Sequence, residues 1–400
     1  MCAWASTRQT DTSATMVRNH ASQRIPDGQL LTGHVAEWGE LLSLLEERRG
    51  LPVIVADPLS GTSSLLAAAL DESSPRSVRV DARRCADSLD LAMAIADGAI
   101  AALAPDANAW WMGAAPPNST AGLRVSRALN EQGLDPKALR SGEGGGVQRL
   151  REALELTATL AQGPAVLAID HLGNMLANLR GAAGREILGV LRAARQQTSD
   201  LDLVLVDQPQ GPISEALSDA QHPMYRAGER LRVRRPTPSR IVEDLAITKP
   251  LVKTPVALLR AAAELAAGVP ALTWQVISMA PDDGENPARA VAGWETLRRA
   301  TAASVGREWD LLRRVHPAAQ TLVAAISLGL KPHSVPSASK TVDDGLHRLR
   351  EVGLAWQPAQ RTWAISDPLL SAYAREHAQP WALRRRAYAR IAAGRRQGEP

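Results

Sequence analysis

Short apolar runs alternate with amphipathic stretches over the first two thirds of the chain. Turn-forming or polar residues bound the runs, and each run predicts a short strand. The predicted strands are 52–56, 77–81, 164–170, 201–207 and 230–233. Helical periodicity occupies the stretches around them, and the predicted helices are 62–70, 88–103, 148–160, 184–195 and 238–246. Strands that alternate with helices in this way are typical of an α/β domain.

Helices predominate in the last third of the chain. Two are predicted over 256–267 and 271–279, on either side of Gly268-Val-Pro270, which combines a glycine helix end with a proline helix start. The remaining predicted elements are helices at 307–315, 318–328 and 338–352, strands at 353–356 and 361–365, and a helix from Asp367. Three helices followed by a two-stranded hairpin predict a winged helix.

Residues 104–146 lack a clear period and are rich in Gly, Pro, Asn and Ala. We interpret this stretch as a loop or insertion, within which Trp110 and Trp111 are neighbours. The run Gly142-Glu-Gly-Gly-Gly146 follows no strand and lacks the spacing of a dinucleotide-binding fold. It therefore predicts a flexible linker.

Composition and charge narrow the classes of function. The chain has 400 residues, is 45% hydrophobic and carries a net charge of +4. Residues 331–400 hold twelve Lys or Arg against six Asp or Glu, so the basic character lies at the C-terminal end. A polyanionic partner fits such an end, and a solvated basic face is the alternative. The two cysteines, Cys2 and Cys85, form neither a disulfide framework nor a metal site, which favours a reducing cytoplasm.

The sequence lacks the motifs of several other classes of protein. No stretch approaches about eighteen consecutive apolar residues, and the first residues lack the features of a secretory signal, so neither membrane insertion nor export is predicted. The histidines form no HExxH motif, and no serine lies in a GxSxG elbow. If the chain is an enzyme, a nucleotide hydrolase is the class that remains.

Leu51 to Leu70 has the outline of a phosphate-binding loop. A buried strand, a turn at Asp57-Pro-Leu-Ser-Gly61 and a helix follow one another, as in loops of the form GxxxxGK[ST]. On that pattern Ala56 stands at the first glycine, Thr62 at the lysine and Ser63 at the hydroxyl that binds Mg²⁺. A lysine about 4 Å from a phosphate charge contributes roughly 4 kcal/mol before desolvation. Thr62 cannot replace it.

Two more residues oppose phosphate binding in this turn. Asp57 places a negative charge where phosphates would lie, and Pro58 lacks an N–H donor. We therefore expect nucleotide binding to be weak or absent. The alternative interpretation is an ordinary strand, turn and helix of an α/β domain.

An aspartate at the end of a later apolar strand fits the same kind of site. Asp170 closes the strand over 164–170, as the Mg²⁺-holding aspartate of a Walker B motif does. The next residue is normally a glutamate that polarises the attacking water, and here it is His171. A histidine could act as a base at this position, and a structural role at the strand end is the alternative.

The order of these elements resembles that of the STAND and AAA+ ATPases. Leu31 to Leu42 is similar to the "GRexEl" box that precedes the phosphate loop in that superfamily, with His34 where an arginine is usual. Gly268-Val-Pro270 between two helices resembles the lid of archaeal-type members, and 353–373 resembles the end of their C-terminal winged helix. The resemblance covers most of residues 31–378 and depends on element order, not on an exact motif.

The resemblance implies a fold and a division of the chain. The fold class is α/β, with a P-loop NTPase-like parallel sheet, a helical lid and a C-terminal winged-helix domain. The expected divisions are a flexible tail at 1–28, the NTPase-like domain at 29–247 with the insertion at 104–146, the lid at 248–304, the winged helix at 305–378 and a basic helix or tail at 379–400.

The resemblance also implies ATP with Mg²⁺ as the cofactor. The nucleotide contacts would be Gly61, Thr62, Ser63, Ser64 and Asp170, the metal ligands Ser63 and Asp170, and the catalytic candidates Asp170 and His171. The departures from the family are His34, Ala56, Thr62, His171 and Asp207, the last where a phosphate sensor usually has Asn, Ser or Thr. Because several departures remove chemistry from one site, we predict a degenerate nucleotide site that has lost hydrolysis.

Arg226 or Arg230 could act as an arginine finger that reaches the nucleotide of a neighbouring subunit. The alternative is a basic stripe that faces solvent or DNA.

DNA is the polyanion considered for the C-terminal part. The DNA contacts would be Lys340, Thr341 and Arg348 on the third helix, Arg361 on the wing and Arg384, Arg385 and Arg386 in the tail. Asp343 and Asp344 on the same helix would repel phosphates, and winged helices of this superfamily often bind proteins instead.

Three hypotheses of function follow. The first is a cytoplasmic AAA+/STAND-like protein with a degenerate nucleotide site, acting as a DNA-binding or scaffolding and regulatory subunit, with protein partners or self-assembly and no membrane. The second is a weak or oligomer-dependent ATPase in which Thr62 and Ser63 still bind Mg-nucleotide. The third is a signalling scaffold that binds proteins without DNA. Salt dependence separates the first from the third, because phosphate contacts weaken steeply with salt.

Overall fold

A computed structural model describes residues 33–377, apart from 49, 74–75, 117, 136–137, 140–144, 180, 199, 210, 248–253, 282–285, 336 and 360–361. The described residues form two compact units. The first holds the residues up to Arg234 together with 243–247, and the second holds 235–242 together with the residues from 254 onward. The predicted tails at 1–28 and 379–400 lie outside the described residues.

A five-stranded parallel sheet forms the centre of the first unit. Its strands are β1 (Pro52–Ala56), β2 (Ser77–Asp81), β3 (Ala165–Asp170), β4 (Leu201–Asp207) and β5 (Glu229–Val233). All five were predicted to within one residue at each end, and their order across the sheet is β2-β3-β4-β1-β5. Because the strands are parallel, their carboxyl ends meet at one edge, where Asp81 is in register with Asp170 and Val55 with Asp207.

Helices cover both faces of this sheet. They are α1 (Val35–Glu46), α2 (Thr62–Ser73), α3 (Ser88–Leu103), α4 (Asn108–Trp111), α5 (Thr120–Glu131), α6 (Gly146–Ala161), α7 (Leu172–Ala177), α8 (Ala183–Gln197) and α9 (Pro212–Ser218). The next helix along the chain, α10 (Pro238–Ile247), belongs to the second unit up to residue 242 and to the first unit from residue 243. Alternate strand residues point to opposite faces, so Val53 and Val55 pack in the layer of α3, α6 and α8, whereas Ile54 and Ala56 pack against α1 and α2. Strands β1, β3 and β4 are buried along their whole length, as expected of a sheet covered on both faces.

Of the two interpretations of 104–146, loop or insertion, the loop was wrong, since this stretch is largely helical where it is described. It contains α4, α5 and a 3₁₀ turn at Pro105–Ala107. Ser119 caps α5 by accepting the N–H of Gly122, and α5 buries only Val125 and Leu129 as large apolar side chains. These two anchors have helical spacing, but most of the surface of the helix is polar, and the helix depends on packing against the core.

The glycine run at 142–146 does not end as a linker. Gly146 is the first residue of α6, and 141–144 lie outside the described residues. A Cβ at Gly146 would come 2.3 Å from Ser88 Oγ at the start of α3. Glycine therefore serves the close packing of α3 against α6 at this position.

The second unit is mostly helical. Its elements are α11 (Val256–Leu265), α12 (Pro270–Ser278), α13 (Ala288–Val315), α14 (Ala319–Ser327), α15 (Ser339–Glu351), an antiparallel hairpin of β6 (Ala355–Ala359) and β7 (Thr362–Ile365), and α16 (Pro368–His377). Helix α13 is 28 residues long, whereas only its end over 307–315 was predicted. Its first half has small residues around Ala290, Trp294 and Leu297, so its apolar stripe is narrow.

Helix α13 contributes to two separate cores. Trp294 and Leu297 pack with α11 and α12, whereas Val305 and Leu312 pack with α14, α15 and the hairpin. The predicted boundary between a lid and a winged helix, at 304 and 305, lies inside this helix where it passes from one core to the other.

The Gly268-Val-Pro270 motif has a clear structural reason. Gly268 has a φ of +73°, which closes the end of α11, and a Cβ there would come 2.0 Å from the carbonyl oxygen of Pro236. Pro270 is the first residue of α12, where its missing N–H costs nothing. Both residues therefore fix the turn between the two helices.

No single helix among the described residues has the length and apolarity to cross a membrane. One pair, Ser88–Leu103 with Pro105–Trp111, reaches that length and apolarity together but is bent by 115°.

The adjacent residues Trp111 and Met112 give a test of the helical insertion. Trp111 is 2% exposed and donates its indole N–H to Asp97 at 2.7 Å, whereas Met112 is 66% exposed. We expect Trp111→Ala to lower the free energy of unfolding by about 3–5 kcal/mol and Met112→Ala to change it by less than about 0.5 kcal/mol. Urea titrations of the two variants check this. Equal losses would contradict the described packing.

Candidate functional site

The turn between β1 and α2 contains two residues with left-handed backbone. Gly61 has a φ of +94°, which glycine adopts freely. Leu59 has a φ of +56°, a conformation that costs a residue with a side chain about 1–2 kcal/mol, and its side chain is 50% exposed. The loop thus has the strand-turn-helix form predicted from the sequence, with an apolar side chain at its tip.

Two of the four backbone donors in the turn 57–61 are used within the protein. The N–H of Asp57 bonds to the carbonyl of Val233 at 2.9 Å, and the N–H of Ser60 bonds to the carbonyl of Asp57 at 3.2 Å. Pro58 has no N–H. A phosphate-binding loop holds the phosphate with free backbone N–H groups. Three of the five positions from 57 to 61 offer no such N–H.

The side chains of the loop also bond to the protein. Asp57 is buried and accepts from Arg232 of β5 at 2.6 Å. Thr62, at the lysine position, is 8% exposed, and its hydroxyl bonds to that of Ser60 at 2.7 Å. His34 is buried at the start of α1, and its Nε2 donates to the carbonyl of Ser60. The loop is therefore attached to α1 on one side and to β5 on the other.

Asp170 lies beside the loop helix and has two hydrogen-bond donors on one oxygen. Ser63 Oγ donates to Asp170 Oδ2 at 2.7 Å, and the guanidinium of Arg79 donates to the same oxygen at 2.9 Å. The Asp170 side chain is only 2% exposed. Its other oxygen, Oδ1, is buried without a hydrogen-bond partner among the described residues, and His171 Nε2 lies 3.6 Å from it. The structure thus brings Ser63, Asp170 and His171 together.

The contacts of Ser63 and Asp170 decide how well this site suits Mg²⁺. A P-loop site presents its hydroxyl and its aspartate to one metal ion, which also keeps water or phosphate oxygens. Here the guanidinium of Arg79 bonds to one oxygen of the Asp170 carboxylate and already supplies a positive charge there. As arranged, these residues fit a guanidinium better than Mg²⁺. The described residues also contain no group of three His, Cys, Asp or Glu side chains placed to hold a metal.

Sequence reasoning missed Arg79. It lies on β2, two positions before Asp81, which is in register with Asp170. Only the pairing of β2 with β3 brings the two side chains together, and strand order cannot be read from the sequence of one strand. The available signal was a single arginine in the strand-like run 77–81.

A second ion pair lies at the same edge of the sheet. Asp81 accepts bonds from the backbone N–H and from the guanidinium of Arg83. These bonds lower the pKa of Asp81, so it is ionised and paired at neutral pH. The pair is about half exposed, in contrast to the buried carboxylate of Asp170.

Asp207, at the predicted position of a phosphate sensor, caps a helix. Its Oδ2 accepts the N–H of Ser214 in the first turn of α9 at 2.7 Å. Gly173 and Gly211 lie so close that a Cβ on either would come about 2 Å from Asp207 Oδ1, at 1.9 and 2.0 Å. Burial raises the pKa of Asp207, although its bonds to the backbone and side chain of Ser214 partly offset the shift. The side chain is thus enclosed by α7 and α9.

The two arginines considered as fingers have partners nearby. Arg230 donates to the carbonyl of Ser214 at 2.7 Å and to Ser218 Oγ at 2.6 Å, so it is attached to α9. Arg226 lies over the ring of Tyr225, 5.0 Å from its centroid. Both contacts are local to the first unit.

The predicted DNA contacts are only partly described. On α15, Lys340 is exposed, Thr341 is half-buried, and Arg348 is exposed but pairs with Glu351 at 2.8 Å. Asp343 and Asp344 are exposed on the same helix. The other predicted contacts, Arg361, Arg384, Arg385 and Arg386, lie outside the described residues.

The residues predicted to contact the nucleotide lie together at the loop end of α2. They are Gly61, Thr62, Ser63 and Ser64, of which Ser64 is exposed.

Comparison with solved structures shows the fold. The chain is similar to the Walker-type ATPase of Pyrococcus abyssi, with a TM-score of 0.55 and 19% identity, covering 84% of this chain and 95% of that one. The Aeropyrum pernix ORC2 protein, solved with ADPNP and ADP, aligns with a TM-score of 0.49 and 12% identity over 92% of this chain and 98% of its own. The ORC1 protein of that organism, solved with DNA, gives a TM-score of 0.46 and 13% identity over 91% and 97%.

Searches by sequence found neither a matching family model nor a matching characterised protein. The likeness to the Pyrococcus ATPase, together with the five-stranded parallel sheet, confirms the predicted P-loop NTPase-like fold. At 19% identity it assigns no activity to this chain.

The buried Asp207 predicts a pH dependence of stability. Because its pKa in the folded protein is raised above 3.8, the contribution of Asp207 to stability is lost as the pH rises through that folded pKa. Asn keeps an oxygen for the Ser214 N–H and has no charge to bury. We expect the unfolding free energy of Asp207→Asn, relative to wild type, to increase from pH 3.5 towards pH 7. Urea titrations across about this range check it. A constant or decreasing difference would contradict the assignment.

Proposed function

We propose that this chain is a P-loop NTPase-like protein whose nucleotide site is degenerate, and that it acts without ATP turnover as a scaffolding or regulatory subunit. The observation that carries the proposal is the position of Thr62. The residue at the lysine position is buried and bonded inside the loop, so the main cation for the outer phosphates is missing.

Electrostatics of the loop support the same proposal. The carboxylate of Asp57 lies inside the turn with 5% of its side chain exposed, and Arg232 compensates its charge. A phosphate brought to this turn would meet that carboxylate and few available backbone donors. The cost of removing a phosphate from water would then have little compensation.

The second unit supplies the surface on which a scaffold would act. We propose that 248–304 is a lid and 305–378 a winged helix, since 319–365 contain two helices and an antiparallel hairpin behind the long α13. On α15 the exposed acids Asp343 and Asp344 oppose phosphate contacts, and Arg348 is paired. These charges favour a protein partner over DNA at this helix. The cytoplasmic location and the self-assembly of the protein remain predictions.

DNA is the second candidate partner. The exposed Lys340 near the start of α15 and the basic composition of residues 331–400 favour it. If DNA is the partner, Lys340 would form one part of a larger basic surface.

Equilibrium binding of a fluorescent ATP analogue with Mg²⁺ tests the nucleotide proposal. We expect no saturable binding by wild type at millimolar analogue. Thr62→Lys restores a cation and should bind at least about tenfold more tightly than Thr62→Val, which removes the hydroxyl without adding charge; tenfold corresponds to about 1.4 kcal/mol. Micromolar binding by wild type that Asp170→Ala abolishes would overturn the proposal and indicate a nucleotide switch or an ATPase.

Fluorescence anisotropy with duplex DNA tests the choice of partner. If α15 binds proteins, Lys340→Glu and the control Lys331→Glu, another exposed lysine of the second unit, should alter DNA affinity equally at every salt concentration. If α15 contacts phosphates, Lys340→Glu alone should weaken binding and reduce the slope of log K against log salt by about 1. That second result would make DNA the partner.

A further inference from the structure

We infer that Arg79 is a positioning residue that supplies, from within the chain, the positive charge that a metal ion supplies in a working phosphate loop. The inference rests on the proposed function and deepens it, because it identifies what neutralises the aspartate in place of Mg²⁺. It depends on the contacts that meet at Asp170 Oδ2, where Arg79 and Ser63 both donate.

The burial of Asp170 makes a cationic partner necessary. An ionised carboxylate that is 2% exposed loses most of its hydration, and such groups are stable only when paired and hydrogen-bonded. Arg79 lies 2.9 Å away and is 37% exposed, so the charge that neutralises Asp170 stays partly in water while the carboxylate does not.

The sheet register explains how Arg79 reaches this carboxylate. Arg79 is in register with Ala168, and Asp81 with Asp170, so the arginine starts two residues short of its partner on the neighbouring strand. Two residues span about 6.6 Å along a parallel strand, a distance that the long arginine side chain can cover. A polar residue much shorter than arginine or lysine would not reach from position 79.

The contact with Ser63 gives this pair a role that an ordinary surface pair lacks. Ser63 is the second residue of α2, so its bond to Asp170 attaches the loop helix to the end of β3. In a metal-dependent loop the same hydroxyl and aspartate lie beside Mg²⁺, which supplies the positive charge next to the carboxylate. Here the guanidinium of Arg79 supplies a positive charge at that carboxylate, and the bond from Ser63 positions the loop helix.

The nearby pair of Asp81 and Arg83 provides a matched comparison. It is also an arginine on a carboxylate at the same edge of the sheet, and its charge also acts on Asp170, but its side chains are 43% and 62% exposed and its described hydrogen bonds go to Asp81. Exposed pairs of this kind contribute little to stability. Arg83 is therefore a suitable control position.

Removal of the Arg79 charge should turn the site into a cation site. Asp170 would then present both of its oxygens, of which Oδ1 already lacks a hydrogen-bond partner among the described residues, next to Ser63 Oγ and His171 Nε2. Oxygen ligands with one imidazole suit divalent ions such as Mn²⁺, and Mg²⁺ to a lesser degree.

Thermal unfolding of four full-length proteins tests the inference: wild type, Arg79→Gln, Arg79→Lys and Arg83→Gln. Each is measured in EDTA and in about 10 mM MnCl₂ or MgCl₂ at matched ionic strength. Arg79→Gln should have a Tm several degrees below wild type in EDTA and should recover at least about half of that loss with Mn²⁺. Arg79→Lys, which keeps the charge, should behave as wild type does, and so should Arg83→Gln.

A lower Tm for Arg79→Gln that neither metal raises would overturn the inference, because it would leave Arg79 a structural residue only. An unchanged Tm without a metal response would overturn it as well. If Arg79→Gln does not fold, the double variant Arg79→Gln with Asp170→Asn decides. Rescue of folding by the second change supports the pairing, and failure of the double variant to fold contradicts it.

The same samples separate this inference from the proposed function. Binding of the ATP analogue by wild type would overturn the degenerate nucleotide site whether or not Arg79→Gln responds to Mn²⁺. Absence of the Mn²⁺ response, with no nucleotide binding by wild type, would overturn only the role of Arg79.

Discussion

The carboxylate of Asp170 lies at the end of a strand that is buried along its whole length, and an ionised group at that depth needs a partner. Arg79 and Ser63 both bond to it, so two elements that flank β3, namely β2 and α2, meet at one oxygen. The parallel sheet makes this meeting possible, because all its carboxyl ends lie at one edge. The rest of the candidate site is arranged around that edge.

Other contacts hold the loop in the same ligand-free manner. His34 bonds to the backbone of Ser60, Arg232 neutralises Asp57, and the N–H of Asp57 continues the pairing of β1 with β5. In a nucleotide-dependent protein these positions would gain order from phosphate and metal. Here the side chains of Asp57, Ser60, Thr62 and Ser63 each have a hydrogen-bond partner from the protein itself. These contacts would hold the loop in one conformation regardless of nucleotide concentration.

Asp207 and Arg230 show how a position that resembles a family's functional residue can have a structural role. Both bond to α9, a seven-residue helix that the sequence analysis did not predict, and Gly173 and Gly211 enclose the Asp207 carboxylate. The pKa of Asp207 is raised because burial outweighs the bonds that favour its ionised form. A perturbed pKa is often taken as a sign of catalysis, but here its cause is the burial of a carboxylate that caps a helix.

The sequence by itself determined the five strands, most of the long helices and the strand-turn-helix form of the loop, because continuous apolar runs and helical periodicity are local signals. It also indicated that Thr62 and Asp57 oppose phosphate binding. It did not reveal the helices of 104–146 or the first half of α13, whose few apolar anchors depend on packing for their stability. Only the tertiary structure decided that Arg79 neutralises Asp170, since strands more than eighty residues apart become neighbours through sheet order, which no local pattern encodes.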